Sequence, residues 1–224
     1  MADPRPALLI VGDSHSVALK EGCDALGLRA EVLSFSGNFW HQGHIFLHRS
    51  RGLWAKGRAL QERITQLCEK IGVTDLVQPD LPILASFGFH LGRMVPPFGF
   101  HQHTVSAATF AENPAGHFAS RGLVEAYCDQ YRHQHLQMLQ RLSRLVPTVA
   151  VAPPNFFWDD NYQMFFDLLK SKIRASGVTL FDPCETLFAP TGTLPEAYTA
   201  ADRVHGNARY GEAVMRHILQ NDMF

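Results

Sequence analysis

The chain has 224 residues, 46% hydrophobic and 18% charged, which suits one soluble α/β domain with a core large enough to need no disulfide or metal staple. Twenty Lys and Arg against 21 Asp and Glu leave a net charge of −1, which argues against binding driven by phosphate neutralisation. The four cysteines (Cys23, Cys68, Cys128 and Cys184) form no C-x-x-C pair, and no apolar run approaches the roughly 20 residues of a membrane span, so zinc-finger, thioredoxin-like and membrane-spanning classes drop out.

In chain order, Ala7 to Val11 is a continuous apolar run stopped by Gly12, the pattern of a strand buried on both faces. A helix is predicted from about Val17 to Leu26, closed by Gly27, then a second strand from Arg29 to Phe35 with Glu31 facing water. Leu53 to Ile71 reads as one helix, with Leu60, Ile64, Leu67, Cys68 and Ile71 at helical spacing and Gly72 at its end. Arg49, Arg51, Lys56 and Arg58 read as a solvated, partly helical surface. Leu81 to Phe87 is a third strand running into Gly88. The stretch from Phe89 to Ser120 shows little periodicity and reads as a long loop, a lid or a binding element. Gly122 to Leu145 is the longest predicted helix; Val146 to Ala152 is a fourth strand, stopped by Pro153-Pro154. A helix from about Asn161 to Ala175, a strand from Val178 to Phe181 and a helix from about Ala208 to Leu219 complete the pattern.

Short apolar runs alternating with amphipathic stretches predict βαβ units, one domain, and a doubly wound, mostly parallel sheet of five strands. Ligands of such sheets sit beyond the carboxyl ends of the strands, where Gly12, Gly37 and Gly88 should converge. The absence of a visible leader or membrane span reads as a cytoplasmic protein.

Two short motifs carry chemistry. Gly12-Asp13-Ser14-His15 lies where the first strand meets its helix, so the Ser14 hydroxyl projects at the ligand edge and its amide belongs to a helical first turn. A plain helix cap is the competing use of these residues. Asp202-Arg-Val-His205 spaces a carboxylate and an imidazole so that both sit on one turn, the aspartate holding one ring nitrogen and leaving the other free. An exposed turn pair is the alternative there.

Taken together, Ile10-Val-Gly-Asp-Ser-His15 and Asp202-Arg-Val-His-Gly-Asn-Ala-Arg-Tyr-Gly211 resemble the SGNH, or GDSL-like, hydrolases over nearly the whole chain. The resemblance implies a three-layer α/β/α sandwich with five parallel strands, with Ser14 as nucleophile, His205 as base and Asp202 as its orienting partner. It also implies an oxyanion hole of three donors: the Ser14 amide, the amide of Gly37, and an asparagine side chain after the third strand. This chain has Gly88-Phe89-His90-Leu91 where that asparagine is expected; His90 or Asn38 could stand in, and if neither does the chain is a slow enzyme or only a binding protein. The implied activity is a serine esterase on small O-acyl esters, for example O-acetyl groups on a carbohydrate, with no cofactor. An acyltransferase using the same site and a non-catalytic glycan- or protein-binding member are the alternatives. Trp40, Phe89 and Trp158 are candidates to grip the substrate. His41, His44 and His48 could share a helix face but lack a carboxylate or cysteine to complete a metal set, so no metal is expected.

Overall fold

Leu8, Leu9, Ile10 and Val11 are all buried, yet they do not share one core. In the computed structural model, which describes residues 5–113, 115–156, 159–189 and 191–224, Leu8 and Ile10 belong to one apolar cluster and Leu9 and Val11 to another. They form strand β1 (Leu8–Gly12), whose period-2 alternation feeds both faces of a sheet. The central strand β5 (Ile83–Ser86) repeats the pattern, with Ile83 and Ala85 on one side and Leu84 on the other.

Between them come α1 (Ser16–Ala25), β2 (Ala30–Ser34), α2 (Gly37–His41), a hairpin of β3 (Ile45–His48) and β4 (Gly52–Ala55), and α3 (Arg58–Ile71). After β5 follow a 3-10 turn at Leu91–Arg93, α4 (Val95–Phe100), β6 (His103–Thr104), α5 (Ala107–Glu112), β7 (His117–Phe118) and the long α6 (Arg121–Leu145). The chain ends with β8 (Thr148–Val151), α7 (Asp160–Ala175), β9 (Thr179–Phe181), α8 (Pro183–Leu187) and α9 (Ala208–Gln220). The five-stranded sheet is parallel throughout, in the order β2-β1-β5-β8-β9. Counting only these strands, the order is 2-1-3-4-5, so chain direction across the sheet reverses between β1 and β5. Helices α3, α6 and α7 cover one face, and α1 and α9 cover the other, giving three layers.

Two sequence expectations are corrected. The helix expected from Leu53 begins only at Arg58. Leu53 and Ala55 point inward with period 2 and pair with Leu47 and Ile45 across the hairpin, while Gly52 and Gly57, both at positive φ, bracket the strand. The cationic cluster therefore sits on a hairpin and a helix start, where Arg51 lies over the Trp54 ring and Arg58 pairs with Glu62. The stretch 89–120, expected as one loop, is a series of short elements pinned to α6 and α7. Phe98 packs on Tyr127 and Phe165, and the Asn161 side chain bonds the backbone of His103 and Val105. Neighbours distant in sequence supply its order, which local periodicity cannot reveal. Among the described residues, no helix is long and apolar enough to cross a membrane.

The crossing of α1 and α9 is built on two glycines. A Cβ at Gly211 would run into the Ala18 carbonyl, and one at Gly22 would meet the Gly211 backbone. Gly211→Ala should therefore cost about 1–3 kcal/mol, as overpacking typically does, read as a lower urea midpoint with an unchanged slope. A midpoint equal to that of the wild type would show that the crossing gives way at no cost.

Candidate active site

β1 ends at Gly12 because no side chain fits there: a Cβ would strike the Ser86 carbonyl of the adjacent strand. The chain then turns on Asp13. Its amide donates to Ser86 O (3.1 Å), its carbonyl accepts from Ser16 N (3.1 Å), and its Oδ1 accepts from His15 N (3.0 Å). This turn leaves Ser14 at the carboxyl edge of the sheet, at the reversal between β1 and β5.

The second half of the site comes from the approach to α9. Asn207 caps that helix by accepting from Tyr210 N and also donates to Ala197 O and Thr199 O, closing the segment as a small loop. The loop is pinned by the Thr199–Gly206 bridge and by Ala200 N donating to His205 O (2.8 Å). Within it, Asp202 Oδ1 accepts from the amides of Val204 and His205, while Oδ2 lies 2.6 Å from His205 Nδ1. The other ring nitrogen, Nε2, is 2.7 Å from Ser14 Oγ. With Asp202 accepting from Nδ1–H, Nε2 is left to accept from the serine hydroxyl, the arrangement that lets an imidazole take a hydroxyl proton.

The electrostatics favour that polarity. The hydrogen bond from His205, backed by the Val204 and His205 amides, holds the Asp202 carboxyl down at about 2. His15, whose ring lies 4.6 Å from that of His205, is driven toward the neutral form by burial, so it brings no competing charge. Asp13 would be pushed up by burial alone, but His15 and His90 outweigh that and hold its carboxyl below the usual range.

Ser14, His205, Gly37 and His90 line one cavity of about 340 Å³, together with Asp13, His15, Leu91 to Arg93, Pro153 to Phe156, Tyr162, Phe166 and Val204. The amides of Ser14 and Gly37 have no hydrogen-bond partner among the described residues. The other predicted site residues fall differently. His90 Nδ1 lies 2.8 Å from Asp13 Oδ2, at ion-pair distance rather than in an aligned hydrogen bond, and Nε2 is buried without a partner. Asn38 lies on α2 and does not line the cavity. Trp40 is fully buried, stacked on Phe87 with its Nε1 donating to the Gly12 carbonyl (2.9 Å), so it belongs to the core beneath the site. Phe89 is likewise buried and packs on Phe166. Trp158 lies outside the described residues. His41 ends α2 and His48 lies on β3, so no helix face joins them to His44, and no metal-sized cluster occurs among the described residues. Arg93, Pro153, Tyr162 and Phe166 were not singled out from the sequence; Pro153-Pro154, at a strand's carboxyl end, was the available signal.

No family model matches the chain, and no curated protein matches its sequence. Solved structures do. A Streptococcus pneumonia protein provisionally described as a platelet activating factor aligns over 100% of this chain and 86% of its own, with 12% identity and a TM-score of 0.52. LAE5, an alpha/beta hydrolase enzyme from the metagenome of Lake Arreo, aligns over 96% and 94% with 13% identity and a TM-score of 0.48. Axe2, an acetylxylan esterase from Geobacillus stearothermophilus, aligns over 100% and 97% with 14% identity and a TM-score of 0.44. The comparison of folds rests on the first of these. The chain has the same three-layer α/β/α fold around a parallel sheet as that protein.

Two outcomes follow from titrating groups, the four core cysteines and Asp202 of the site. All four cysteines are buried and free, and burial raises every thiol, Cys128 to about 12 and Cys23 and Cys184 to about 11. Because the thiolate is the reactive form, iodoacetamide at about pH 8 should modify none of them in the native protein and all of them in urea. Rapid native labelling would disprove their burial. Asp202 has its folded carboxyl at about 2, below its ordinary 3.8, so it stabilises the fold above the higher value and loses that contribution as pH falls through the lower. The stability gap between wild type and Asp202→Asn in urea titrations should be open near neutrality and close by about pH 2. A gap constant over that range would count against the His205 bond.

Proposed function

We propose that this chain is a serine esterase that removes small O-acyl groups, such as acetyl, from a carbohydrate. The supporting observation is the continuous line of hydrogen bonds from Ser14 through His205 to Asp202, opening on the cavity of about 340 Å³. Ser14 Oγ attacks the acyl carbonyl as His205 Nε2 takes its proton, and Asp202 supports the imidazolium that forms. The free amides of Ser14 and Gly37 hold the oxyanion. His205 returns the proton to the departing sugar oxygen, leaving an acyl-serine. Water then attacks this ester, its proton passing to His205 and on to Ser14 Oγ as the acid leaves.

His90 occupies the expected place of a third donor, but its Nδ1 faces Asp13 and its Nε2 is buried, so the hole is read as one of two amides. The carbohydrate side of the proposal draws on the wall, where Phe156, Tyr162 and Phe166 offer apolar surface beside the polar reacting groups. Catalysis with two amide donors needs no metal or cofactor.

The test is hydrolysis of 4-nitrophenyl acetate by wild type, Ser14→Ala and His205→Ala, with folding followed by circular dichroism. Both substitutions should lower kcat/KM by at least about 1000-fold while the fold persists. A fluorophosphonate should add one covalent label to wild type, on Ser14, and none to Ser14→Ala. Near wild-type turnover by folded Ser14→Ala would overturn the proposal, as would wild type that neither turns over nor takes the label.

A further inference from the structure

The cavity that holds Ser14 and His205 has an uneven charge. Asp13 is its one carboxylate among the described residues, and it is 7% exposed, with His15 N on one oxygen and His90 Nδ1 at 2.8 Å from the other. Its burial and these two contacts turn it away from a ligand. His15 is kept neutral by burial, and His205 is engaged with Ser14 and Asp202. That leaves Arg93, an exposed guanidinium on the cavity wall that makes no ion pair among the described residues. Its charge adds to the effects that disfavour the charged form of His41, after burial, Arg132 and His90.

Arg93 does not hang from a loose loop. It ends the 3-10 turn Leu91–Arg93, with its amide donating to the His90 carbonyl at 2.9 Å. That carbonyl also accepts from Arg132 Nη2 at 3.1 Å, and the carbonyl of Phe89 accepts from Arg132 Nε at 2.8 Å. Arg132 is fully buried in α6, so the base of the turn is bolted to the core. A fixed backbone carrying an unpaired guanidinium at the rim of a reactive cavity is a preorganised anion receptor, and its planar fork matches a carboxylate. No lysine or second arginine joins it on the wall, which fits a monoanion better than a phosphate. At about 340 Å³ the cavity has room for a sugar ring beyond an acetyl group.

The geometry points to Arg93 as the specificity residue for an O-acylated sugar acid, the guanidinium binding the ring carboxylate while Ser14 faces the ester. This deepens the esterase reading and rests on it. The probes are a mono-O-acetylated methyl glucuronide and the matching methyl glucoside, which share the ester and the ring and differ in the carboxylate. Wild type should favour the glucuronide in kcat/KM by roughly 5- to 10-fold, mainly through KM, as a partly exposed ion pair allows. In Arg93→Gln the ratio should fall to about one, and Arg93→Lys should restore part of it. Added salt at about 0.5 M should shrink the wild-type ratio, since the pair is solvent-accessible.

A wild-type ratio near one, or a ratio that Arg93→Gln leaves in place, overturns the assignment, and so does failure to cleave either sugar ester. Those results leave the esterase reading standing as long as 4-nitrophenyl acetate is turned over through Ser14. Loss of that aryl ester activity in wild type marks failure of the esterase reading instead.

Discussion

The pairing of Ser14 with His205 joins residues 191 apart in sequence, and it depends on a contact with no room for a methyl group. Helix α1 leaves the sheet directly after Ser14, and α9 begins three residues after His205. At the Gly22–Gly211 crossing the two backbones meet with no side chain between them. Leu19, Val214, Met215 and Ile218 then seal the crossing against the sheet in one apolar cluster. Dispersion and burial are non-directional, so they draw the helices together without fixing register. The missing Cβ atoms fix it, since sliding either helix by a residue would set a side chain against the other backbone. The hydrogen bond of 2.7 Å at the surface is a consequence of packing decided in the layer below.

The opposite wall relies on polar burial. Arg132 is fully buried with no carboxylate partner and is satisfied instead by the carbonyls of Phe89, His90 and Tyr131 and by His41 Nδ1 at 3.2 Å. Burial lowers the guanidinium to about 10, still far above neutrality, so the charge stays and must be met by backbone oxygens. What it holds is a backbone that would not hold itself: His90 has φ 45° and ψ 45°, a left-handed conformation disfavoured for a residue with a Cβ. His135 is matched to this surrounding. Burial first, then the nearby His90 and Arg132, push it down to about 3, so it stays neutral and bonds the Trp40 carbonyl at 2.8 Å. One permanent cation beside a neutral His135 is a stable arrangement, whereas several cations would repel one another in a medium that screens poorly.

The legible part of the sequence was the part in which local pattern and tertiary role coincide. Strands buried on both faces, such as Leu8 to Val11, are continuous apolar runs whatever packs on them, and the three inner strands of the sheet were readable for that reason. The Asp202–His205 spacing was legible because both residues act within one turn. Trp40 shows the limit. Its place among candidates to grip a substrate suggested an accessible ring, but the indole lies under the sheet edge, stacked on Phe87, where its Nε1 shares the Gly12 carbonyl with the Phe35 amide. The hairpin before α3 was hidden by a helix pattern that begins only after Gly57. Arg93 was silent because an arginine in a proline-rich stretch has the same local signature whether it faces bulk water or a cavity.

Asp13 sets the remaining problem of the site. An ionised carboxylate one residue from a serine opposes any chemistry that builds negative charge there, and Asp13 is held ionised. Its oxygens, however, are bound by His15 N and approached by His90 Nδ1, so the negative charge is met before it reaches the cavity. A histidine ring nitrogen reaches within 2.8 Å of the second carboxylate oxygen. Placing His90 there turns Nδ1 toward Asp13 and leaves Nε2 buried. The departure from the amide expected at this position and the burial of Asp13 are then a single adjustment. The turn that follows His90 carries Arg93 to the rim, so the same substitution that settles the charge below the site also shapes its mouth.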